Sequence, residues 1–210
     1  MKFVKKKILI VGSGGLGREI YSWLTHSESP YEPIGFISDD LNSLDDYDYP
    51  VPIVQTILDY EPVESVTLIM GIMDPKGKKS VYLSLLKKGA VFETFVHPTA
   101  IVGENVTLGT GTVISPMCIL TCDILVGDCV FFNTSSTLGH DGKVGDYSSI
   151  NGKVEISGWV NIGREVLVGS RALILPKKKI NDNAIIGAGS VVVGNVKSGV
   201  TVFGNPAKRV

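Results

Sequence analysis

The sequence is poor in the residues that most often mark a function. Of its 210 residues only three are cysteine and three are histidine, and aromatic residues make up 8%. The cysteines, Cys118, Cys122 and Cys129, cannot all pair, and no two of them stand in a Cys-x-x-Cys spacing. This cysteine usage fits a reducing cytoplasm best.

Neither sign of charge is in excess. The chain has 20 lysines and arginines against 21 acidic residues, whereas nucleic-acid-binding proteins usually show a basic excess or stripe. Long apolar runs are also missing. The first run, residues 8–11, is too short for the core of a secretion signal, and no segment approaches the roughly 18 residues that span a bilayer. We therefore expect neither a nucleic-acid partner nor a membrane span.

Glycine is in clear excess, with 24 copies, many of them regularly spaced in the second half of the chain. A step of six residues meets sixteen apolar residues in succession, although only 44% of the chain is apolar. These positions are Val102, Leu108, Ile114, Leu120, Val126, Phe132, Leu138, Val144, Ile150, Ile156, Ile162, Val168, Ile174, Ile180, Ile186 and Val192. Small or β-branched residues usually stand two positions earlier, and Gly, Asn or Ser often stands one position later.

A period of six is neither the 3.6 of a helix nor the 2 of an ordinary strand. It is typical of short strands separated by turns, with three strands in each coil of a parallel solenoid. We predict that the apolar residue of each hexad points into the core. The Gly or Asn that follows it is predicted to take the tight turn conformation.

Residues 1–95 have a different pattern and are predicted to form an α/β domain in front of the solenoid of residues 96–210. The segment KKKILIVGSGGLGREIYSWL is typical of a buried strand, a glycine loop and an amphipathic helix, and EPIGFISDD of a second strand. A third strand and a second helix follow, the helix with Val81, Leu83, Leu85 and Leu86 toward a core. We interpret this as an abbreviated Rossmann-like βαβαβ domain, too short for two mononucleotide-binding halves.

The glycine loop has the sequence GSGGLG and fits the pattern G-x-G-x-x-G between a strand and a helix. Such glycines let the backbone approach phosphates at a helix N-terminus. A strand-to-helix turn without a ligand also needs small residues, so the motif alone is weak. Asp39 and Asp40 close the second strand, near the place where a ribose-binding acid is expected, and they favour nucleotide binding.

His140 is the one imidazole inside the repeat, and it stands at a turn position with Asp141 directly after it. An adjacent acid can fix the tautomer of an imidazole and raise its basicity if the chain bends between them, which Gly139 and Gly142 make possible. An ordinary turn histidine is the alternative. A zinc site would need about three histidine ligands, and only His97 is nearby, so we expect no metal.

The pattern [Leu/Ile/Val]-Gly-x4 resembles the hexapeptide repeat of left-handed β-helix acyltransferases, over residues 97–206. The whole chain resembles a narrower family, the bacterial nucleotide-sugar acetyltransferases of the sialic-acid O-acetyltransferase and bacillosamine N-acetyltransferase type. The resemblance implies a left-handed β-helix, a homotrimer with sites between subunits, and acetyl-CoA as co-substrate with no tightly bound cofactor.

The resemblance also implies roles for individual residues. The nucleotide sugar is expected at Gly12, Gly14, Gly17, Asp39 and Asp40. The catalytic pair is expected to be His140 and Asp141. Acetyl-CoA is expected at small and basic residues of the later coils, namely Gly158, Gly187, Ala188, Gly189, Lys177 and Lys208. Two positions depart from the family pattern: Leu16 and Ser149 stand where many or some members have histidine.

We therefore predict an acetyl-CoA-dependent N-acetyltransferase for a nucleotide-linked amino sugar, a 4-amino-4,6-dideoxy hexose, serving surface polysaccharide or glycan synthesis such as that of O-antigen. One alternative is an O-acetyltransferase of the sialic-acid type, since one histidine base serves either acceptor. Another is a non-catalytic hexapeptide scaffold, although a scaffold has no reason to place His-Asp on a turn. A dehydrogenase would need a larger dinucleotide domain.

Overall fold

The computed structural model describes residues 5–26 and 29–210, which form an α/β region followed by a three-faced β-solenoid. The elements of the α/β region are β1 (Lys6–Val11), α1 (Gly15–His26), β2 (Tyr31–Ile37), β3 (Ile53–Gln55), β4 (Val66–Met70) and α2 (Pro75–Lys87). Its strands form one parallel sheet in the order β3-β2-β1-β4. No helix in the described residues is long and apolar enough to cross a membrane.

The predicted strand, helix, strand, strand and helix are present in that order as β1, α1, β2, β4 and α2. The description of this region as βαβαβ is wrong, because between β2 and β4 the chain makes turns and the edge strand β3 and no helix. The three residues of β3 are too few to show an alternation of apolar and polar side chains. The sheet nevertheless keeps the feature that matters for a ligand: β1 has β2 on one side and β4 on the other, so a crevice opens between the ends of β1 and β4.

Helix α2 packs on the solenoid through a face that the sequence did not reveal. Its buried side chains include Lys78, Tyr82 and Leu85, which follow the i, i+4, i+7 spacing of one helix face. The prediction that Leu83 and Leu86 point toward a core is wrong, because both are exposed. One of the residues on the buried face is a lysine, Lys78, which the sequence analysis did not expect to be buried.

From Phe95 onward the chain forms nineteen short strands. In chain order they are β5 (Phe95–Val96), β6 (Ile101–Val102), β7 (Val106–Leu108), β8 (Val113–Ile114), β9 (Ile119–Leu120), β10 (Ile124–Val126), β11 (Phe131–Phe132), β12 (Thr137–Leu138), β13 (Lys143–Val144), β14 (Ser149–Ile150), β15 (Glu155–Ile156), β16 (Asn161–Ile162), β17 (Leu167–Val168), β18 (Leu173–Ile174), β19 (Lys179–Ile180), β20 (Ile185–Ile186), β21 (Val191–Val192), β22 (Thr201–Phe203) and β23 (Lys208–Arg209). Only β23 runs antiparallel to its neighbour among the described strands.

Every third strand pairs in parallel, which confirms the predicted solenoid of three strands per coil. The first face holds β5, β8, β11, β14, β17, β20 and β22, the second β6, β9, β12, β15, β18 and β21, and the third β7, β10, β13, β16 and β19. Partners on one face are usually one coil of 18 residues apart, as Phe131 and Ser149 are. We call the turns from first to second face the first corner, from second to third the second corner, and from third to first the third corner.

The predicted register is confirmed by burial. Fourteen of the sixteen hexad residues are buried in the solenoid core. The exceptions are Val102, which is exposed, and Leu108, which is half-buried. Both belong to the first coil, where no earlier coil covers them, so the two exceptions reflect an open end rather than a slip of register.

The prediction that the Gly or Asn directly after each apolar residue takes the tight turn conformation is wrong. Left-handed backbone occurs three positions after the apolar residue, as at Asp141 with φ 58°, and not at the Gly or Asn directly after it. Glycine is needed directly after the apolar residue because successive coils approach closely there. A Cβ on Gly103, for example, would lie 1.6 Å from the carbonyl oxygen of Thr121 in the next coil.

The α/β region packs against the first face and the third corner of the solenoid. Phe95, Val113 and Phe131 of the first face join an apolar cluster with side chains of β1 and α1. At the third corner, Cys129 and Tyr147 pack with α2. The predicted boundary between residues 95 and 96 falls inside β5, and the division into two domains stays a prediction.

Candidate active site

The glycine loop connects β1 to α1, and its glycines do two different things. Gly12 has φ 90°, and a Cβ on Gly17 would lie 2.0 Å from the carbonyl oxygen of Gly12. These two glycines therefore let α1 pack tightly on β1. Gly14 and Gly15 have no atom within 4 Å of an added Cβ, so the start of α1 faces open space.

That open space is a cleft of about 500 Å³ between the α/β region and the first face of the solenoid. Its lining comes from three parts of the chain, and the residues are Gly12, Gly14, Gly15, Leu16, Glu19, Gly71, Ile72, Met73, Phe131 and Asn133. The twelve-residue helix α1 begins at this cleft, and the N-terminus of a helix favours a phosphate group. The sequence drew attention to the glycines but gave no signal for Ile72, Met73, Phe131 or Asn133.

The two predicted carboxylates lie beside this cleft's sheet and not among its described lining residues. Asp39 Oδ1 accepts hydrogen bonds from the amides of Ile57 at 2.8 Å and Leu58 at 3.2 Å. Asp40 Oδ1 accepts from the amide of Asn42 at 3.2 Å. Asp39 thus stabilises the loop after β3, whereas the exposed Asp40 stabilises only its own turn.

One wall of the cleft is fixed to the solenoid by a buried lysine. Lys78 of α2 is fully buried and donates hydrogen bonds to the Ser148 carbonyl at 3.0 Å and to Ser149 Oγ at 2.8 Å. Ser149 Oγ donates in turn to the carbonyl of Met73. Burial lowers the pKa of Lys78 to about 8, an effect that the charges of Cys129 and Asp74 oppose. Through these two hydrogen bonds Ser149 joins the cleft wall to the solenoid.

His140 lies at the second corner of the solenoid. Its Nδ1 is 2.8 Å from Asp141 Oδ2, and both side chains are nearly half exposed. The bend that brings these neighbours together is the left-handed backbone of Asp141 itself, not the predicted flexibility of Gly139 and Gly142. With Nδ1 held by the carboxylate, Nε2 is the ring nitrogen left for an external group.

The imidazole rests on the next coil at Gly158. A Cβ added to Gly158 would lie 2.7 Å from His140 Nε2 and 2.9 Å from Cε1, so a larger residue there would displace the ring from this position. Trp159 follows, with its ring centroid 4.3 Å from that of His140. Lys177, one coil further, has its ammonium 5.3 Å from the indole centroid. The sequence analysis included Gly158 and Lys177 but missed Trp159.

The amide of Gly158 is open, and a comparison of two corners shows why. At the third corner, the amides of residues 110, 128 and 164 each donate to an aspartate side chain of the next coil, at 2.8–3.0 Å. At the second corner the residue one coil after Gly158 is Pro176, which has no side-chain acceptor. Among the described residues the Gly158 N–H has no hydrogen-bond acceptor, so it can serve a ligand beside His140.

The remaining residues expected at acetyl-CoA lie elsewhere. Gly187, Ala188 and Gly189 form a turn of the first corner, and Phe203 covers Gly187 closely. Lys208 is exposed on β23 at the end of the first face. The structure therefore brings Gly158 against His140 and Lys177 over the neighbouring Trp159, but not these four residues. In the part of the chain that is described, no three His, Cys, Asp or Glu side chains are placed to hold a metal ion.

The cleft and His140 do not meet within one chain. The cleft borders the first face and the first corner through Phe131 and Asn133. His140 lies at the second corner, and the second face separates the two corners. Within one chain the cleft and His140 therefore lie on different sides of the solenoid.

No protein-family model matches the chain. Among curated proteins, GDP-perosamine N-acetyltransferase of Escherichia coli O157:H7 is 32% identical over 147 residues, which cover 67% of this chain and 66% of that protein. The chain spans less than half of the length of several serine acetyltransferases that it also matches.

Two solved structures share the fold over nearly the whole chain. The acetyltransferase domain of PglB from Neisseria gonorrhoeae, in complex with acetyl coenzyme A, has a TM-score of 0.88 at 23% identity and covers 99% of this chain and 100% of its own. PerB from Caulobacter crescentus, in complex with CoA and GDP-perosamine, has a TM-score of 0.87 at 22% identity and covers 100% of both chains. At these identities the likeness concerns the fold.

A three-faced solenoid of hexapeptide repeats with a histidine–aspartate pair at one corner defines a class, the hexapeptide-repeat acyltransferases. Within that class the chain belongs to the bacterial sugar acetyltransferase family that includes GDP-perosamine N-acetyltransferase.

Proposed function

We propose that this protein transfers the acetyl group of acetyl-CoA to the amine of a nucleotide-linked amino sugar, a 4-amino-4,6-dideoxy hexose. The observation that carries the proposal is the second corner, where a histidine held by an acid lies directly beside an open backbone amide. The names of the relatives agree with it, since one is a GDP-perosamine N-acetyltransferase and PerB binds CoA and GDP-perosamine.

In the proposed mechanism the neutral sugar amine attacks the thioester carbonyl, forming the C–N bond. His140 Nε2 takes the proton that the nitrogen loses, and Asp141 stabilises the imidazolium through Nδ1. The Gly158 N–H donates to the oxyanion of the tetrahedral intermediate. When the C–S bond breaks, the sulfur of CoA leaves with the electron pair and His140 returns the proton to it. No covalent enzyme intermediate is required.

The substrates are assigned to two places. We assign the nucleotide diphosphate to the cleft, where Gly14 and Gly15 leave the start of α1 open, with Asp40 and Asp39 beside the base and ribose. We assign acetyl-CoA to the second corner at Gly158 and Lys177, with Gly187, Ala188, Gly189 and Lys208 contacting the remainder of the molecule. A nucleotide-linked substrate and the cysteine usage both favour the cytoplasm as the site of the reaction, which would serve surface polysaccharide synthesis.

We further propose that the solenoid is left-handed and that the protein is a homotrimer, with each site built from two copies. The second face favours association because several of its outward side chains are apolar, namely Ile101, Ile119, Leu173 and Val191. The third face is more polar and presents Thr107, Leu125, Lys143, Asn161 and Lys179. Light scattering checks the proposal, and a monomer at micromolar concentration would rule out a shared site.

The activity is tested with UDP-, dTDP- and GDP-linked 4-amino-4,6-dideoxy hexoses and acetyl-CoA, following release of the CoA thiol. We expect thiol release that depends on one of these sugars and a product with one added acetyl group. Treatment with hydroxylamine then separates the two acceptor types, because it removes an acetyl ester and leaves an amide intact. A hydroxylamine-sensitive product would show O-acetylation, and no release with any acceptor would refute the transferase assignment.

A further inference from the structure

Trp159 occupies a position where its size brings no advantage to the fold. It is the left-handed residue of its turn, with φ 57°. The same position in the neighbouring coils of the second corner is held by Asn105, Asp123, Asp141 and Lys177, with φ between 56° and 63°. This conformation favours Asn and Asp, whose short side chains tolerate it, over bulky residues. The indole is also 51% exposed, so about half of its surface does not contribute to packing.

The indole of Trp159 contacts His140, the residue to which the proposed function assigns proton transfer. Its ring stands at 84° to the His140 imidazole, an edge-to-face arrangement with centroids 4.3 Å apart. The imidazole is therefore held by three groups: Asp141 at Nδ1, the Gly158 backbone beneath the ring, and the indole of Trp159. Lys177 lies over the indole and restricts its movement in turn.

We propose that Trp159 is a positioning residue for His140, which keeps the imidazole against Gly158 with Nε2 beside the open Gly158 amide. The inference rests on the proposed function. A histidine side chain that is nearly half exposed would otherwise sample several rotamers, and only the one over Gly158 places the base and the oxyanion donor together. Misplacement of a catalytic group by about 1 Å can cost on the order of 100-fold in rate.

The first test separates positioning from a structural role. Trp159→Asn gives the turn a residue suited to its backbone, so we expect a melting temperature equal to or above that of the wild type. We expect kcat to fall by about 10- to 100-fold, with KM for both substrates changed much less. Trp159→Phe keeps an aromatic edge-to-face partner and should recover most of the lost kcat.

Met117→Asn is the matched control. Met117 is also an exposed apolar residue at a left-handed turn position, with φ 60°, but it lies at the first corner. It should show the same tolerance of asparagine and an unchanged kcat. A Trp159→Asn enzyme with normal kcat would overturn the inference. A Trp159→Asn protein that does not fold would overturn it as well, since the indole would then serve the structure.

The second test needs no turnover. A protonated imidazole in contact with an indole quenches its fluorescence, and the chain has only two tryptophans. Because Trp23 lies near His97, the titration uses a Trp23→Phe background in which Trp159 is the one remaining indole. We expect the emission to rise with pH as His140 loses its proton, and His140→Gln to abolish this step.

The two tests distinguish two failures. If wild-type protein turns over none of the amino sugars, the proposed function fails, and the titration still reports whether Trp159 holds the imidazole. If turnover is normal but the Trp159 emission ignores His140→Gln, the proposed function stands and the positioning inference is overturned.

Discussion

The glycine loop and the second corner of the solenoid carry the two candidate halves of the site, and they differ in how much of each half serves the fold. In the loop, Gly12 and Gly17 are needed for the packing of α1 on β1, and Asp39 holds a neighbouring loop. At the corner, His140 and Asp141 are nearly half exposed and hold each other. Several motif residues of the α/β region therefore serve packing, whereas the His140–Asp141 pair of the solenoid does not.

The repeat makes this difference visible. Each coil packs with the same residue types, so a residue that departs from the pattern can be recognised by comparison with the other coils. His140 and Trp159 are two such departures that lie in contact at one corner. The α/β region has no internal standard of comparison, and only contacts show which of its residues are free to bind a ligand.

The largest expected effect tests the packing side of the solenoid. Ile162→Asp should prevent folding, because Ile162 is buried in a core shared by all three faces and an unpaired buried carboxylate costs several kcal/mol. Circular dichroism and size exclusion measure the outcome. Asn161→Asp is the control, since Asn161 is the adjacent, outward residue of β16 and should leave the fold intact. A soluble Ile162→Asp protein with normal melting would contradict the register.

The next effect tests the functional side. His140→Ala should lower kcat by roughly 10²- to 10⁴-fold, the usual contribution of a positioned general base. Binding of both substrates, measured by calorimetry, should survive. Asp141→Asn should weaken turnover less than His140→Ala, because the acid only orients the base. Loss of coenzyme A binding in His140→Ala would instead make the histidine a ligand contact.

The residues in these two predictions could be identified from the sequence alone, whereas much of the cleft could not. A six-residue period in a continuous segment fixes the solenoid, its register and the turn position of His140, because every relevant spacing is local. The cleft was only partly visible, since Ile72, Met73 and Phe131 meet there from distant segments. The burial of Lys78 was not predicted, because a lysine on a helix is normally solvated. Only the packing of α2 on the solenoid shows that Lys78 is buried between the two regions.

Lys78, at the junction of the α/β region and the solenoid, is expected to have an effect of intermediate size on folding stability. Burial lowers its pKa from 10.5 to about 8, so between these values the unfolded chain binds a proton that the folded chain does not. Folding stability therefore rises with pH in this window. Below pH 8 both states are charged and the folded state bears the cost of the buried ammonium.

Relative to Lys78→Met, the wild type should gain roughly 3 kcal/mol of unfolding free energy between pH 7.5 and 10.5, as measured by chemical denaturation at several pH values. Lys79→Met is the control, because Lys79 also joins α2 to the solenoid, through Glu165 at 2.6 Å, but is partly exposed. The wild type and Lys79→Met should show no such divergence. Parallel curves for the wild type and Lys78→Met would show that Lys78 is not desolvated.

The smallest expected effect separates the binding role proposed for Gly14 from the packing role of Gly17. Gly14→Ala should fold normally, because nothing lies within 4 Å of the added Cβ, and reduced freedom of the unfolded chain can even add about 0.4–1 kcal/mol. The same methyl group would project into the proposed diphosphate site. We expect the affinity for the nucleotide sugar to fall about tenfold, equivalent to 1.4 kcal/mol, with acetyl-CoA binding unchanged.

Gly17→Ala should behave in the opposite way, since its Cβ would collide with the Gly12 carbonyl oxygen and force α1 away from β1. Its melting temperature should fall, and any loss of nucleotide affinity should follow from that loss of structure. Calorimetry and thermal melting of the two variants side by side separate the roles of the two glycines. If Gly14→Ala binds UDP-, dTDP- or GDP-sugar as tightly as the wild type, the open start of α1 does not face the diphosphate.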